Sequence, residues 1–292
     1  MTINEIVVKD EEEKTIKLKN ALSKAIEELD KIKSHKDGIT GIRTGFNNLD
    51  KEISGLNKGE LIIIAGRPGM GKTSFALNIA TNIAKSHKVI FFSLEMSMEQ
   101  LALKTIDSEL GEQSRKINFD KSSNEKLSNV LENLGNLELY IDDTASETVS
   151  KINSKLKKIN GAEIIFIDHL QLISGSNLKS RIQEISEITR DLKILAKKNN
   201  IPVVCLSQLS RAPEGRSEKK PGLSDLRDSG SIEQDADIVL MLYRKWYYDK
   251  SEKTDEKECE CIIAKNRHGT TKTIIFDWDG NITKFSERCL LC

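Results

Sequence analysis

An apolar run, Leu61-Ile62-Ile63-Ile64-Ala65, leads without a break into Gly66-Arg67-Pro68-Gly69-Met70-Gly71-Lys72-Thr73, and this join constrains the chain more than any other feature. The run has the length and β-branched content of a buried strand, and the residues from Ser74 to Ala84 carry an amphipathic helical pattern. G-x-x-x-x-G-K-T between a strand and a helix is the pattern of a phosphate-binding loop. Gly66, Gly69 and Gly71 remove the Cβ atoms that would hold the backbone away from a phosphate chain, and glycine tolerates positive φ. The loop N–H groups and the positive end of the following helix then face a polyanion. On this reading Gly66, Arg67, Pro68, Gly69, Met70, Gly71, Lys72, Thr73 and Ser74 bind a nucleoside triphosphate. Lys72 reaches the β- and γ-phosphates from a solvent-facing loop, and the Thr73 hydroxyl ligates Mg²⁺.

At 292 residues the chain has room for one large α/β domain and a modest extension. Lys+Arg and Asp+Glu both number 45, so any nucleic acid must be held by a local patch or an inner surface. The longest apolar runs are of strand length, so none could span a bilayer, and Met1 to Lys19 lacks the apolar core of a signal peptide. Five cysteines, an odd number, fit a reducing, cytoplasmic setting. Cys259 and Cys261 alternate as on one face of a strand, and Cys289 and Cys292 form C-x-x-C. With no second C-x-x-C or His pair, buried or terminal thiols are expected rather than a zinc site.

Residues 11–36 are dense in Lys and Glu, with a stripe of Leu18, Leu22, Ala25, Leu29 and Ile32. That spacing predicts an amphipathic helix that buries its stripe on its own domain or on a neighbouring subunit. A joint at His35 to Gly38 separates it from the rest, giving a tail and amphipathic helix over 1–36 and one large domain over 37–292. Strands are expected at 61–65, 89–93, 137–141, 163–167 and 201–206, with helices at 74–85, 97–110, 146–159 and 180–199. The alternation predicts an α/β fold with a mostly parallel sheet flanked by helices. Further strands at 237–243, 259–264, 272–277 and 281–285 read as antiparallel edge additions after a long polar loop from 207 to about 230.

Ile164-Ile165-Phe166-Ile167-Asp168 ends a buried strand in a carboxylate at the sheet edge where ligands sit, which suits a Mg²⁺-associated Asp168. Val89-Ile90-Phe91-Phe92-Ser93-Leu94-Glu95 brings Glu95 to the same edge. Glu95 is read as catalytic base, the alternative being an acid that favours the dipole of the 97–110 helix. Asp142 and Asp143 are explained by helix capping near Ser146. Gln208 ends another strand, and its amide can sense a γ-phosphate. The mobile loop after it carries Arg211, Arg216, Lys219, Lys220 and Arg227, which together fit a phosphate backbone; Lys219 and Lys220 alone are equally a solvated surface. Lys265 and Arg267, on the turn Lys265-Asn266-Arg267-His268-Gly269, suit an arginine finger or a plain basic turn.

Taken in order, these blocks resemble the C-terminal motor domain of bacterial replicative DNA helicases of the DnaB family, within the RecA-like ATPases. The blocks include Thr44-Gly45-Phe46, the glycine loop, Phe92-Ser93-Leu94-Glu95-Met96-Ser97, Ile167-Asp168-His169-Leu170-Gln171-Leu172 and Leu206-Ser207-Gln208. The most diagnostic runs from Leu223-Ser224-Asp225-Leu226-Arg227-Asp228-Ser229-Gly230 to Asp237. The resemblance covers about 36–285. It implies a RecA-like P-loop ATPase that unwinds DNA with 5′-to-3′ polarity as a hexameric ring, with ATP and Mg²⁺ as cofactors. Glu95 would activate water, Gln208 would read the γ-phosphate, and Lys265 and Arg267 would reach the neighbour's ATP site. Arg227, Asp228, Ser229 and Gly230, with Arg216, Lys219 and Lys220, would contact single-stranded DNA in the channel. The 11–34 helix resembles the linker that docks on the adjacent subunit, and primase or a helicase loader are implied partners. The family's N-terminal helical domain has no counterpart here, and His169 stands where the family more often has Tyr. A RadA-type recombination ATPase and a helicase-loading ATPase share parts of the pattern and are the competing expectations.

Overall fold

The computed structural model describes residues 15, 17–34, 37–117, 121–145, 147–175, 180–226, 229–251 and 254–288. The first half runs α1 (Leu18–Ser34), α2 (Asn47–Ile53), β1 (Leu61–Gly66), α3 (Lys72–Ile83), β2 (Val89–Ser93), α4 (Met98–Leu110), α5 (Lys121–Gly135) and β3 (Leu139–Asp142). There follow α6 (Val149–Lys158), β4 (Ile164–Asp168), α7 (Arg181–Asn199), β5 (Val203–Gln208), α8 (Ser229–Asp235) and β6 (Ile238–Tyr243). The chain closes on α9 (Lys245–Tyr248), β7 (Glu258–Asn266), β8 (Thr273–Asp279) and β9 (Lys284–Glu287).

These strands make one nine-stranded sheet in the order β3-β2-β4-β5-β1-β6-β7-β8-β9. From β3 to β6 the pairings are parallel, and from β6 onward antiparallel. Every residue of β1, β2, β4 and β6 is buried, as expected of parallel strands covered on both faces. Alternation sorts them. Ile62, Ile64, Phe91, Phe166 and Leu240 pack with Phe75 and Leu77 of α3 on one side, and Leu61, Ile63, Phe92, Ile167 and Met241 pack with Ile188 and Leu192 of α7 on the other. The expected parallel sheet with antiparallel edge additions is what forms.

Several boundaries differ. Helix α3 begins at Lys72, so that lysine is the first helical residue and half-buried, not a solvent-facing loop residue. The sequence reading left out α5, whose half-buried Leu127, Val130 and Leu134 give a helical face. It also omitted the one-to-two-turn α2 and α8, which are too short for a periodic signal. Cys259 and Cys261 do share a face: both are free thiols buried in the core beside Phe276, and burial pushes the Cys259 thiol up to about 12. Cys289 and Cys292 lie outside the described residues. No described helix is long and apolar enough to cross a membrane.

Candidate nucleotide-binding site

The carboxyl ends of β1, β2, β4 and β5 converge on a cleft of about 400 Å³, lined by Pro68, Gly69, Gly71, Lys72, Thr73, Ser74, Glu95, Met96, Lys104, His169, Gln208, Trp278, Gly280 and Thr283. The loop from β1 to α3 turns through Gly69 (φ 81) and Gly71 (φ 93), both in the left-handed region. A Cβ on Gly69 would lie 2.9 Å from the Tyr247 ring and one on Gly71 3.0 Å from Phe285, so backbone angle and space both demand glycine. Gly66 is different. It ends β1 without a positive φ, and its missing side chain makes room for Lys72 and Met70.

Thr73 donates its hydroxyl to Asp168 Oδ2 at 2.6 Å. Asp168 is 1% exposed, and burial pushes its carboxyl above the usual carboxylate range, against the opposing hydrogen bond from Thr73. Burial likewise holds Lys72 below the usual lysine range, while Asp168 and Glu95 pull it back up. A buried carboxylate and a buried ammonium on one wall, neither in a tight ion pair, leave charge to be matched by a ligand. The adjoining Thr73 and Asp168 oxygens also suit a hard divalent cation, which takes oxygen donors and keeps waters or phosphate oxygens at its other positions.

Glu95 reaches the same cleft two residues beyond β2, and its carboxylate lies 3.1 Å from His169 Nδ1. The donors of α4 are served otherwise: Ser97 and Gln100 form a reciprocal cap, and Asp143 accepts from Met98 N at 3.0 Å. Glu95 is not an acceptor for any of these donors. Asp143 does cap a helix, but α4; α6 is capped by Thr148, while Asp142 pairs with Lys155 at 2.7 Å. His169 follows Asp168 through a cis peptide and was missed as a site residue. Its adjacency to Asp168 was the available signal. Trp278, Gly280 and Thr283, from the β8–β9 hairpin, gave no signal, because the antiparallel edge folds back over the cleft from far along the chain.

Gln208 lines the cleft, and its backbone is clasped by Gln171, which accepts from Gln208 N at 3.2 Å and donates to Gln208 O at 3.3 Å. Arg67 faces the segment beyond β5, bonding to Leu209 O at 2.9 Å and to Glu214 at 2.7 Å. That segment, where described, is tied at several points. Asp225, fully buried, takes Arg216 in a two-point contact at 2.9 and 2.6 Å and the Gly222 N–H at 2.8 Å. Leu209 bridges to Leu226, and Ser210 N bonds Asp225 O at 2.8 Å. Arg216 thus already has a carboxylate partner, Lys220 pairs with Glu260, and Lys219 sits over the Tyr248 ring at 5.1 Å.

Gly230 and the helix α8 lie elsewhere, lining a recess of about 1160 Å³ with Arg190, Ser210 and Gln234. The structure does not bring the Lys219–Lys220 pair to that recess; they line another with Tyr243 and Tyr248. Arg227 and Asp228 lie outside the described residues, as does the side chain of Ser229. At the far end of β7, Lys265 Nζ donates to Ala236 O at 2.7 Å and to Glu233 O, and Arg267 donates to Asp237 at 3.3 Å and to Gln234 O. Both fold against the end of α8, away from this chain's own cleft. The Arg267 side chain remains 41% exposed.

The sequence profile of the DnaB-like helicase C-terminal domain matches residues 41–287. The chain is 48% identical over 273 residues, 89% of its length, to a probable replicative DNA helicase of Trieres chinensis, covering 60% of that protein. It is 43% identical over 278 residues, 92% of its length, to the replicative DNA helicase DnaC of Bacillus subtilis (strain 168), covering 61% of it. It therefore spans about 60% of the length of these relatives. Among solved structures, one described as an ATPase domain superposes with a TM-score of 0.87 at 36% identity, covering 94% of this chain and 99% of that one. A DnaB-like replicative helicase described with its interactions with primase gives 0.83 at 36% identity, covering 93% of this chain and 67% of that one.

Proposed function

Because this chain belongs to the family of the DnaB-like helicase C-terminal domain, we propose that it is the ATP-hydrolysing motor of a replicative DNA helicase. The observation that carries the proposal is the Thr73–Asp168 contact at 2.6 Å, with Lys72, Glu95 and Gln208 lining the same cleft. The glycine loop would cradle the phosphates of ATP, with Lys72 against the β- and γ-phosphates. Thr73 and Asp168 would hold Mg²⁺, which supplies charge neutralisation to the transferred phosphoryl group. Glu95 would take the proton of the attacking water, and Gln208 would register the γ-phosphate. Through Gln171 and the Arg67–Glu214 pair, that state would pass to the stitched 209–226 segment.

Lys265 and Arg267 are proposed to serve a neighbouring subunit's ATP, which requires an oligomer, a hexameric ring by family. Helix α1 is proposed to dock on the neighbour. The described leucines of its stripe are exposed, Leu18 by 73%, Leu22 by 53% and Leu29 by 53%, which supports docking on a neighbour over burial on its own domain. On this view 1–36 is a connector and 37–292 the motor, with single-stranded DNA held by Arg227 to Gly230 and translocation 5′ to 3′ in the cytoplasm. Engagement of Arg216 and Lys220 by Asp225 and Glu260 reduces their part in that contact. Primase or a loader would be partners of the assembled ring, in line with the neighbour described with primase. The relatives reported above are replicative helicases, so nothing favours a recombination or loading ATPase.

The test is Mg²⁺-dependent ATP hydrolysis and unwinding of forked DNA by the chain and by Lys72→Ala. The variant should lose both activities, by a thousandfold or so in turnover, while keeping its melting temperature. Turnover near that of the unaltered chain would overturn the site assignment.

A further inference from the structure

His169 has no part in the account so far, yet its ring lies against Glu95. Its side chain is 13% exposed and follows Asp168 at the fixed end of β4, whereas the Glu95 side chain is 59% exposed in the link from β2 to α4. The distances separate its two acidic neighbours. Nδ1 lies 3.1 Å from Glu95 Oε2, the nearer of the two, and 3.8 Å from Asp168 Oδ1. Asp168 Oδ2 accepts from Thr73, and the N-terminal donors of α4 are served by Ser97 and Asp143. Glu95 accepts from none of these donors, and His169 on the buried strand end is its nearest charged neighbour in the cleft.

An exposed glutamate with three side-chain torsions spreads over many rotamers, and fixing it costs about 1.5–2 kcal/mol of conformational freedom. A donor on a buried strand end offsets that cost before any substrate arrives, as a catalytic base requires. We propose that His169 is a positioning residue, its imidazole holding the Glu95 carboxylate inside the cleft beside Thr73 and Asp168. With the proton on Nδ1, a small turn of the ring would let it donate to Oε2 and leave Glu95 an acceptor aimed into the cleft. The consequence falls on the rate of hydrolysis and not on nucleotide affinity. This inference rests on the reading of the cleft as an ATPase site.

The test uses the full 292-residue chain with Mg²⁺ and ATP, comparing the unaltered protein with His169→Phe, His169→Asn, Glu95→Gln and Glu95→Gln/His169→Phe. Phe keeps a ring without the donor; Asn returns an N–H close to the place of Nδ1. Misplacing a catalytic group by about 1 Å costs up to roughly a hundredfold, so His169→Phe should lower kcat about tenfold or more. The KM for ATP and the Kd for ADP should stay within about twofold. His169→Asn should recover part of the rate, and in the Glu95→Gln background His169→Phe should remove nothing further in single turnover. Unchanged kcat in His169→Phe, a loss shared between kcat and nucleotide affinity, no recovery in His169→Asn, or an undiminished effect in the Glu95→Gln background would each overturn the proposal. No ATP hydrolysis by the unaltered chain, alone or assembled, would overturn the ATPase reading and this inference with it.

Discussion

The nucleotide cleft and the outward-facing flank residues of α1 and, separately, of the end of β7 present their functional side chains in opposite ways. In the cleft, Thr73 at the start of α3 and Asp168, Glu95 and Gln208 at or just beyond the ends of β4, β2 and β5 line one wall, with Thr73 bonded to Asp168, Glu95 beside His169 and the Gln208 backbone clasped by Gln171. On the flank, Leu18, Leu22 and Leu29 project from α1 with their surfaces uncovered, and Arg267 turns onto α8 with its guanidinium half open. The difference separates what one chain completes from what it offers. The cleft has the wall of a binding site but no cation from outside it; the flank has cations and apolar surface but no site of its own.

If the cleft is self-contained as a binding site, Glu95→Gln should leave ATP binding intact and slow hydrolysis by roughly a hundredfold or more, since the amide keeps hydrogen bonding but loses basicity. Nucleotide titration beside steady-state turnover checks this. Intact specific activity with a lowered melting temperature would return Glu95 to a role in holding α4.

If the flank is completed by another copy, Leu22→Ser with Leu29→Ser should weaken assembly and spare folding. Each leucine loses about 1.5–3 kcal/mol of burial in the assembly, so the subunit dissociation constant should rise tenfold or more. Sedimentation with ATP and thermal melting separate the outcomes. An unchanged mass with a lower melting temperature would place the α1 stripe on its own domain.

The smallest expected effect is that of Arg227→Ala. Single-stranded DNA binding should weaken with little dependence on sequence, and the slope of log affinity against log salt should fall by about 0.7, the value for one phosphate contact on a single strand. Binding isotherms at several salt concentrations give the slope. If it does not change, the DNA contact lies elsewhere.

The same contrast governs what could be read in the sequence. Strand ends were legible because a run such as Ile164 to Asp168 fixes both burial and the position of its terminal carboxylate, and Thr73 then meets Asp168 through parallel pairing. The β8–β9 residues of the cleft were not legible. Trp278 and Thr283 arrive through antiparallel additions whose fold-back leaves no local spacing. The partner of Arg216 was not legible for a related reason. A basic residue in a polar loop reads as free until its fully buried partner Asp225 is known, and Asp225, nine residues on, carries no mark of burial in the sequence. His169 was adjacent to a recognised residue, and it was the 3.1 Å contact across strands that gave it meaning.

The central claim, that the cleft of one chain is finished by the flank of another, is tested most directly by mixing two inactive variants. In Arg267→Ala the cleft is intact and the flank defective; in Lys72→Ala the reverse holds. Neither variant alone can form a junction in which an intact Lys72 cleft receives an intact Arg267. A mixed assembly can, and a finger supplied in trans is worth about a thousandfold or more, so even a minority of repaired junctions should be measurable. The account predicts two variants that are each nearly inactive and a mixture that regains ATP hydrolysis in step with co-assembly. A mixture that demonstrably co-assembles and stays inactive, or a monomer that hydrolyses ATP at the full rate, would contradict it.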